Sequence, residues 1–301
     1  MGHANKPTLV RQIHLNLTEK IAFGDSKHQD KLDGTDRSSK IYSYSTLKSY
    51  MKHSNYFAKY CKEKYNCKTL EQCRPYANEW IKMRNDSNLS AYTVKLDVAA
   101  ICKLYNETAS NFVETRSRER GNITRSRSDA ARDKHFSKTK NADLIKFCKS
   151  TGLRRSELKA LTGDKLLEKN GNFYIKVDVG TKGGRYRESQ IIGSAADIKK
   201  VTELMRDAGF DKVFPKISTN ADIHGYRATY AKAFYEEIAR PINEIPFDRI
   251  HQATKVPYQS DVYICRNDLA GIKFDKKAMQ IVSKNLGHNR ISVIASNYLY
   301  K

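Results

Sequence analysis

The chain is short of acidic residues. Against 55 lysines and arginines it carries 33 aspartates and glutamates, so its formal net charge is 55 − 33 = +22. A compact fold with that excess repels itself unless a polyanion relieves it. Nucleic acid is therefore the leading partner, with a basic but merely solvated surface as the alternative. Long apolar runs are also missing: none approaches the roughly 18–20 residues that would span a bilayer. Met1-Gly2-His3-Ala4-Asn5-Lys6 shows no apolar leader. The six cysteines, Cys61, Cys67, Cys73, Cys102, Cys148 and Cys265, form no C-x-x-C pair. The spacing of six between the first three is not a usual zinc spacing. These absences lead us to expect reduced thiols in a cytoplasmic protein without a metal site. Internal repeats and low-complexity tracts are absent too. What is present suffices for real cores: 301 residues, enough for two domains, of which 39% are hydrophobic.

Residues 1–40 hold seven Lys/Arg and five Asp/Glu; they form an N-terminal extension whose structure the pattern does not decide. Residues 41–112 read as a helical domain. Ser45 can cap a helix with Leu47, Met51, Phe57 and Cys61 near helical spacing. Pro75 suits the first turn of a second helix bearing Tyr76, Trp80 and Met83, and Ser90 can cap a third carrying Val94, Val98, Ile101, Leu104 and Tyr105. A basic run across 115–140, poor in apolar residues and broken at Gly121-Asn122, marks an interdomain linker at 113–135. Within it Arg116, Arg118, Arg120, Arg125, Arg127 and Lys134 are candidate DNA-backbone contacts. Residues 136–301 are mixed. A helix from Leu144 ends at Thr151-Gly152. Phe173 to Val179 alternates as a strand, Gly180-Thr181-Lys182-Gly183-Gly184 turns it, and Tyr186 to Ile192 returns. Helices dominate thereafter, interrupted around 241–275 by a segment containing Pro241, Pro246 and Pro257. The fold class expected is mainly α with a small antiparallel β-sheet.

The chemistry concentrates in the second half. A phosphodiester resists attack because its non-bridging oxygens are negative and its leaving alkoxide is poor, so a catalyst must clamp charge and protonate the leaving oxygen. Arginine's planar fork clamps two oxygens at once. Arg154 lies in Thr151-Gly152-Leu153-Arg154-Arg155-Ser156-Glu157-Leu158, with Glu157 three residues on, positioned to orient a neighbour or balance buried charge. His224 and Arg227, in His224-Gly225-Tyr226-Arg227, are also three apart and would face one phosphate. Gly287 can end the helix that carries Ala278, Ile281 and Val282, projecting His288. Lys182 in the glycine-rich hairpin tip can act as general acid; Lys176, fixed in mid-strand, is a poorer candidate. Tyr298 is the candidate nucleophile. A tyrosine hydroxyl can store the bond energy in a phosphotyrosine, so no cofactor is needed.

In that order, Arg154, Lys182, His224, Arg227, His288 and Tyr298, with Glu157, resemble the catalytic set of the tyrosine recombinase (integrase) family. The resemblance implies a helical core-binding domain and a mixed α/β catalytic domain that clamp double-stranded DNA at specific sites. It also implies a 3′-phosphotyrosine intermediate, strand exchange through a Holliday junction in a homo-tetramer, and no metal. A mobile-element recombinase with an accessory DNA-bending or directionality factor fits that pattern. The chain departs from the family pattern in three places. Tyr226 stands where leucine is commoner, Tyr298 falls ten residues after His288 (298 − 288), one more than the commonest spacing, and Arg227 and His288 are 61 apart (288 − 227), longer than in simple members.

Two other readings compete. A type IB topoisomerase-like nicking-closing enzyme shares the chemistry but works as a monomer; junction products separate it. A non-catalytic basic DNA-binding protein forms no covalent complex. Leu299, Tyr300 and Lys301 follow Tyr298 and are too few to bridge subunits by apolar burial. Protomers would therefore communicate either by donating the Tyr298 helix or through the 241–275 insertion. The insertion carries apolar Ile242, Ile245, Phe247, Val262, Tyr263 and Ile264, which otherwise pack inside their own domain.

Overall fold

In a computed structural model, residues 7–37, 39–119, 136–181 and 186–299 are described. The chain divides into two compact units, Met1–Ile123 and Thr124–Lys301.

The first unit is helical. α1 (Leu9–Thr18) is capped by the Thr8 hydroxyl and buries Leu9, Ile13 and Leu17, one residue per helical turn. These join a core with Phe57, Trp80, Ile81, Ile101 and Leu104, so the extension read at 1–40 contributes its first helix to this core. A short α2 (Lys27–Leu32) follows. α3 (Tyr44–Tyr65) begins two residues earlier than expected. Its cap is Ser43 rather than Ser45, because Ser43 is in extended backbone and its hydroxyl accepts from Thr46 N at 3.3 Å. α4 (Leu70–Cys73), a 3₁₀ turn containing Pro75, α5 (Ala77–Asp86) and α6 (Ala91–Tyr105), the last capped by Ser90, complete the unit. Cys61, Cys67 and Cys73 are free buried thiols within it. No helix among the described residues is long and apolar enough to cross a membrane.

The second unit starts with α7 (Ala142–Thr151), closed by Gly152 at φ 61°, and α8 (Arg155–Ala160). The sheet is an antiparallel meander of three strands, β1 (Leu166–Lys169), β2 (Asn172–Val177) and β3 (Arg187–Gln190). β1 is an addition to the hairpin read from sequence. Asn170-Gly171, both at positive φ, turns β1 into β2 with Lys169 opposite Asn172. The expected strands shorten accordingly, from Phe173–Val179 and Tyr186–Ile192 to β2 and β3. α9 (Ala195–Ala208) covers the sheet, its Val201 and Met205 packing with Ile175, Val177 and Leu158. α10 (Ile223–Ile238) leads to the 241–275 segment, which holds two small two-stranded sheets, β4 (Arg249–Ile250) with β5 (Pro257–Tyr258) and β6 (Val262–Ile264) with β7 (Lys273–Asp275). Its apolar residues divide: Ile245 is buried and Tyr263 packs on the core, while Phe247 and Ile264 are exposed. α11 (Lys276–Asn285), α12 (Ser292–Ile294) and a π-helical turn, Ala295–Leu299, end the described chain.

Candidate active site

Arg154 sits at the N-cap of α8. Glu157, in the first turn, reaches back so that Oε2 accepts from Arg154 N and Oε1 from Arg154 Nη1, both at 2.7 Å. The carboxylate is 2% exposed. It survives there because Arg187, inward-facing on β3, grips both oxygens with its fork at 2.7 Å each. Burial disfavours the charged carboxyl, but the hydrogen bonds and charge of Arg187, then those of Arg154, outweigh it and hold Glu157 at about 2.

α11 supplies the facing wall. His288 N donates to Ser283 O at 2.9 Å and Gly287 N to Lys284 O at 2.9 Å, the paired bonds of a Schellman closure, with Gly287 at φ 65°. The helix's last carbonyls, at the negative end of its dipole, collect arginines. Arg154 Nη2 donates to Leu286 O at 3.0 Å, Arg187 Nε to Asn285 O at 2.8 Å, and Arg227 Nη2 to Leu286 O. Arg227, on α10, is 1% exposed and also donates to Gly152 O. Burial lowers its pKa to about 10, against the pull of Tyr298.

Tyr298 is buried, and its hydroxyl completes the cluster. Arg227 Nε donates to it at 3.3 Å, and His288 Nε2 lies 3.2 Å away. Arg227 Nη2 is also 3.3 Å from His288 Nε2. A guanidinium can only donate, so Nε2 is the accepting nitrogen and the imidazole proton sits on Nδ1. Burial first, then the charges of Arg227, Arg154, Arg187 and His224, lower the His288 pKa to about 4, which leaves it neutral near pH 7. A neutral imidazole with its lone pair on a tyrosine hydroxyl is placed to take that proton. Tyr298 is carried on the π turn, Ala295–Leu299, which delivers its hydroxyl to His288 ten residues upstream.

The structure thus brings together Arg154, Glu157, Arg227, His288 and Tyr298. His224 is exposed at the start of α10, its ring 6.0 Å from that of Tyr298. Lys182 lies outside the described residues, but its neighbour Thr181 lines a cavity of about 410 Å³ together with Arg154, Tyr186, Arg187, Lys284, Gly287 and His288. Lys176 lies within 3.5 Å of Asp178. Of the linker candidates, Arg120, Arg125, Arg127 and Lys134 lie outside the described residues. Arg116 donates to Ser87 O at 3.2 Å and Leu89 O at 2.6 Å, and Arg118 stacks 5.1 Å over Tyr92. Among the described residues no cluster of three or more His, Cys, Asp or Glu could hold a metal ion.

Sequence reasoning missed Arg187, Arg155 and Lys284. Arg155 ties α8 to the segment before α10 by donating to Ser218 O at 2.7 Å and to Ala221 O. The signal for Arg187 was strand alternation, which puts it on the inward face with Ser189 and Ile191.

Neither a protein-family model nor a curated protein sequence matches the chain. Solved structures do match along nearly its whole length. The XerH site-specific recombinase bound to palindromic difH substrate, in a post-cleavage complex, is 15% identical with a TM-score of 0.50, covering 97% of this chain and 91% of its own. The Tn1549 transposon integrase (residues 82–397) with circular-intermediate DNA is 12% identical with a TM-score of 0.46, covering 98% and 96%. At this identity the likeness speaks to architecture: the chain has the mainly helical fold with small antiparallel sheets seen in tyrosine recombinases.

Proposed function

We propose that this protein is a site-specific DNA recombinase of the integrase type. One observation carries the reading: the Tyr298 hydroxyl is held between Arg227 Nε and His288 Nε2, beside the cavity that Arg154 lines. Tyr298 oxygen attacks the scissile phosphorus while its proton passes to His288 Nε2. The phosphorus–O5′ bond breaks, a 3′-phosphotyrosine forms, and the 5′-oxygen leaves with a proton from a general acid, the role we assign to Lys182. Arg154 and Arg227 stabilise the charge on the non-bridging oxygens, more in the transition state than before it. The second 5′-hydroxyl reverses the step, so bond energy is conserved without nucleotide or metal.

The wider reading is a tetramer on two duplexes, exchanging strands through a Holliday junction for a mobile element, with an accessory bending or directionality factor. The basic first unit and the linker arginines would hold the DNA backbone. Capture on suicide duplexes, built from the flanks of the encoding element and incubated with chelator, tests the chemistry. Wild type should form a covalent adduct that maps to Tyr298, and Tyr298→Phe should bind the same duplex and form none. An adduct at Tyr300, or an absolute Mg²⁺ requirement, overturns the assignment. Junction products, rather than closed circles alone, separate recombination from topoisomerase-like relaxation.

A further inference from the structure

Arg187 has no part in the chemistry above, yet it touches both halves of the site. We propose that Arg187 is a positioning residue: by occupying Glu157 with its fork and the Asn285 carbonyl with its Nε, it aims the Arg154 guanidinium at the cavity and seats the turn that presents His288. The inference rests on the phosphotyrosine reading of the site.

Three observations support it. First, the Glu157 carboxylate receives four donors: Arg187 Nη1 and Nη2, Arg154 N and Arg154 Nη1, all at 2.7 Å. A carboxylate offers about four lone-pair sites, so Arg187 leaves one contact for the Arg154 side chain. Without Arg187, the fork of Arg154 would close on both Glu157 oxygens, the better-bonded arrangement, and turn from Leu286 O and the cavity. Second, Arg187 Nε holds Asn285 O at 2.8 Å, and Asn285 Oδ1 accepts from Gln190 N at 2.7 Å, which fastens β3 to the end of α11. A Cβ on Gly287 would lie 2.9 Å from Arg187 Cδ, so the αL turn before His288 is built against this side chain. Third, within hydrogen-bond reach of Arg154, Arg187 and Arg227 the described residues offer one carboxylate, Glu157. A plain structural ion pair does not need the second and third guanidinium, and buried excess charge is costly until an anion arrives.

His288 reports the arrangement. The groups around it are Arg154 at the α8 cap, Arg187 on β3, His224 and Arg227 on α10, Lys284 on α11 and Tyr298 in the π turn. Burial and the charges of Arg227 and Arg154 lower the His288 pKa ahead of Arg187, so removing the Arg187 charge should raise it from about 4 only in part, whereas lysine there should leave it in place.

The test compares wild type, Arg187→Lys, Arg187→Met and the double variant Arg187→Met/Glu157→Gln. Each is read by His288 NMR titration without DNA, thermal melting, duplex binding, and single-turnover cleavage of the suicide duplexes. Arg187→Met should cleave roughly a hundredfold more slowly at little-changed binding, as a misplaced clamp does. Arg187→Lys should also cleave more slowly, since an ammonium cannot hold both oxygens, with His288 unmoved. Glu157→Gln in the double variant should release the Arg154 fork and recover part of the rate. Cleavage by a folded Arg187→Met at the wild-type rate overturns the proposal, as does a double variant no faster than the single one. If Arg187→Met does not fold, wild-type cleavage by Arg187→Lys overturns it. If wild type forms no adduct, the phosphotyrosine reading fails, and an unmoved His288 in the folded Arg187→Met protein would then sink the positioning role as well.

Discussion

Asp97 in the first unit and Glu157 in the second are both buried carboxylates, each held by two side chains, and they do different work. Asp97, on α6, takes His53 Nδ1 at 2.5 Å and Arg84 Nε at 2.9 Å, joining α6 to α3 and α5. The guanidinium of Arg84 lies over the rings of Tyr56 at 5.8 Å and Trp80 at 5.6 Å. Glu157 is shared by two arginines whose remaining capacity faces a cavity and a helix end. The first network ties helices together; the second holds two guanidinium groups beside a cavity and a helix end. Both networks border a cavity, about 740 Å³ beside His53 and Arg84 and about 410 Å³ beside Arg154 and Arg187; what separates them is what shares the guanidinium, aromatic rings in one unit and the carbonyls of a helix end in the other.

The contrast can be broken experimentally. The largest effect should come from Asp97→Ala. It leaves His53 and Arg84 without their carboxylate and should cost about 3 to 5 kcal/mol, read by denaturant unfolding. The His288 titration should not move. An unchanged midpoint would mean that the first network is not a tie. Arg154→Ala should do the reverse. Glu157 keeps Arg187, so melting should change little, while single-turnover cleavage should fall roughly a hundredfold. Parallel losses of binding and cleavage would reduce Arg154 to a backbone contact. The smallest effect sharpens the picture of the linker. Arg118→Ala should weaken binding to all duplexes alike and lower the salt slope by about one unit. Arg116→Ala should lower it less, because its guanidinium already serves the Ser87 and Leu89 carbonyls. Equal slopes for the two variants would mean that DNA displaces that internal bond.

Much of this was legible in the chain. Ser90, Gly152 and Gly287 punctuate helices where capping chemistry says they should, because those signals depend on a few neighbouring backbone groups. β1 was legible in Asn170-Gly171, a strong short hairpin signal, although the strand before it alternates less clearly than β2. α1 was harder, since Leu9, Ile13 and Leu17 sit among charged residues and show their purpose only against Phe57 and Ile101.

The order of arginines, histidines and tyrosine along the chain already pointed to the chemistry proposed above, because residue type limits what can clamp a phosphate and what can attack it. Helix caps and strand alternation likewise come from local sequence. Three things needed the folded chain. Arg187 became part of the site because β3 lies against α8 and α11, 30 and 98 residues away along the chain. His288 became neutral because burial and three arginines converge on it. The Tyr298 hydroxyl met its partners because the π turn lies against α10 and the end of α11. Each depends on the distances between segments remote in sequence, and those distances are set by packing rather than by the identity of any one residue.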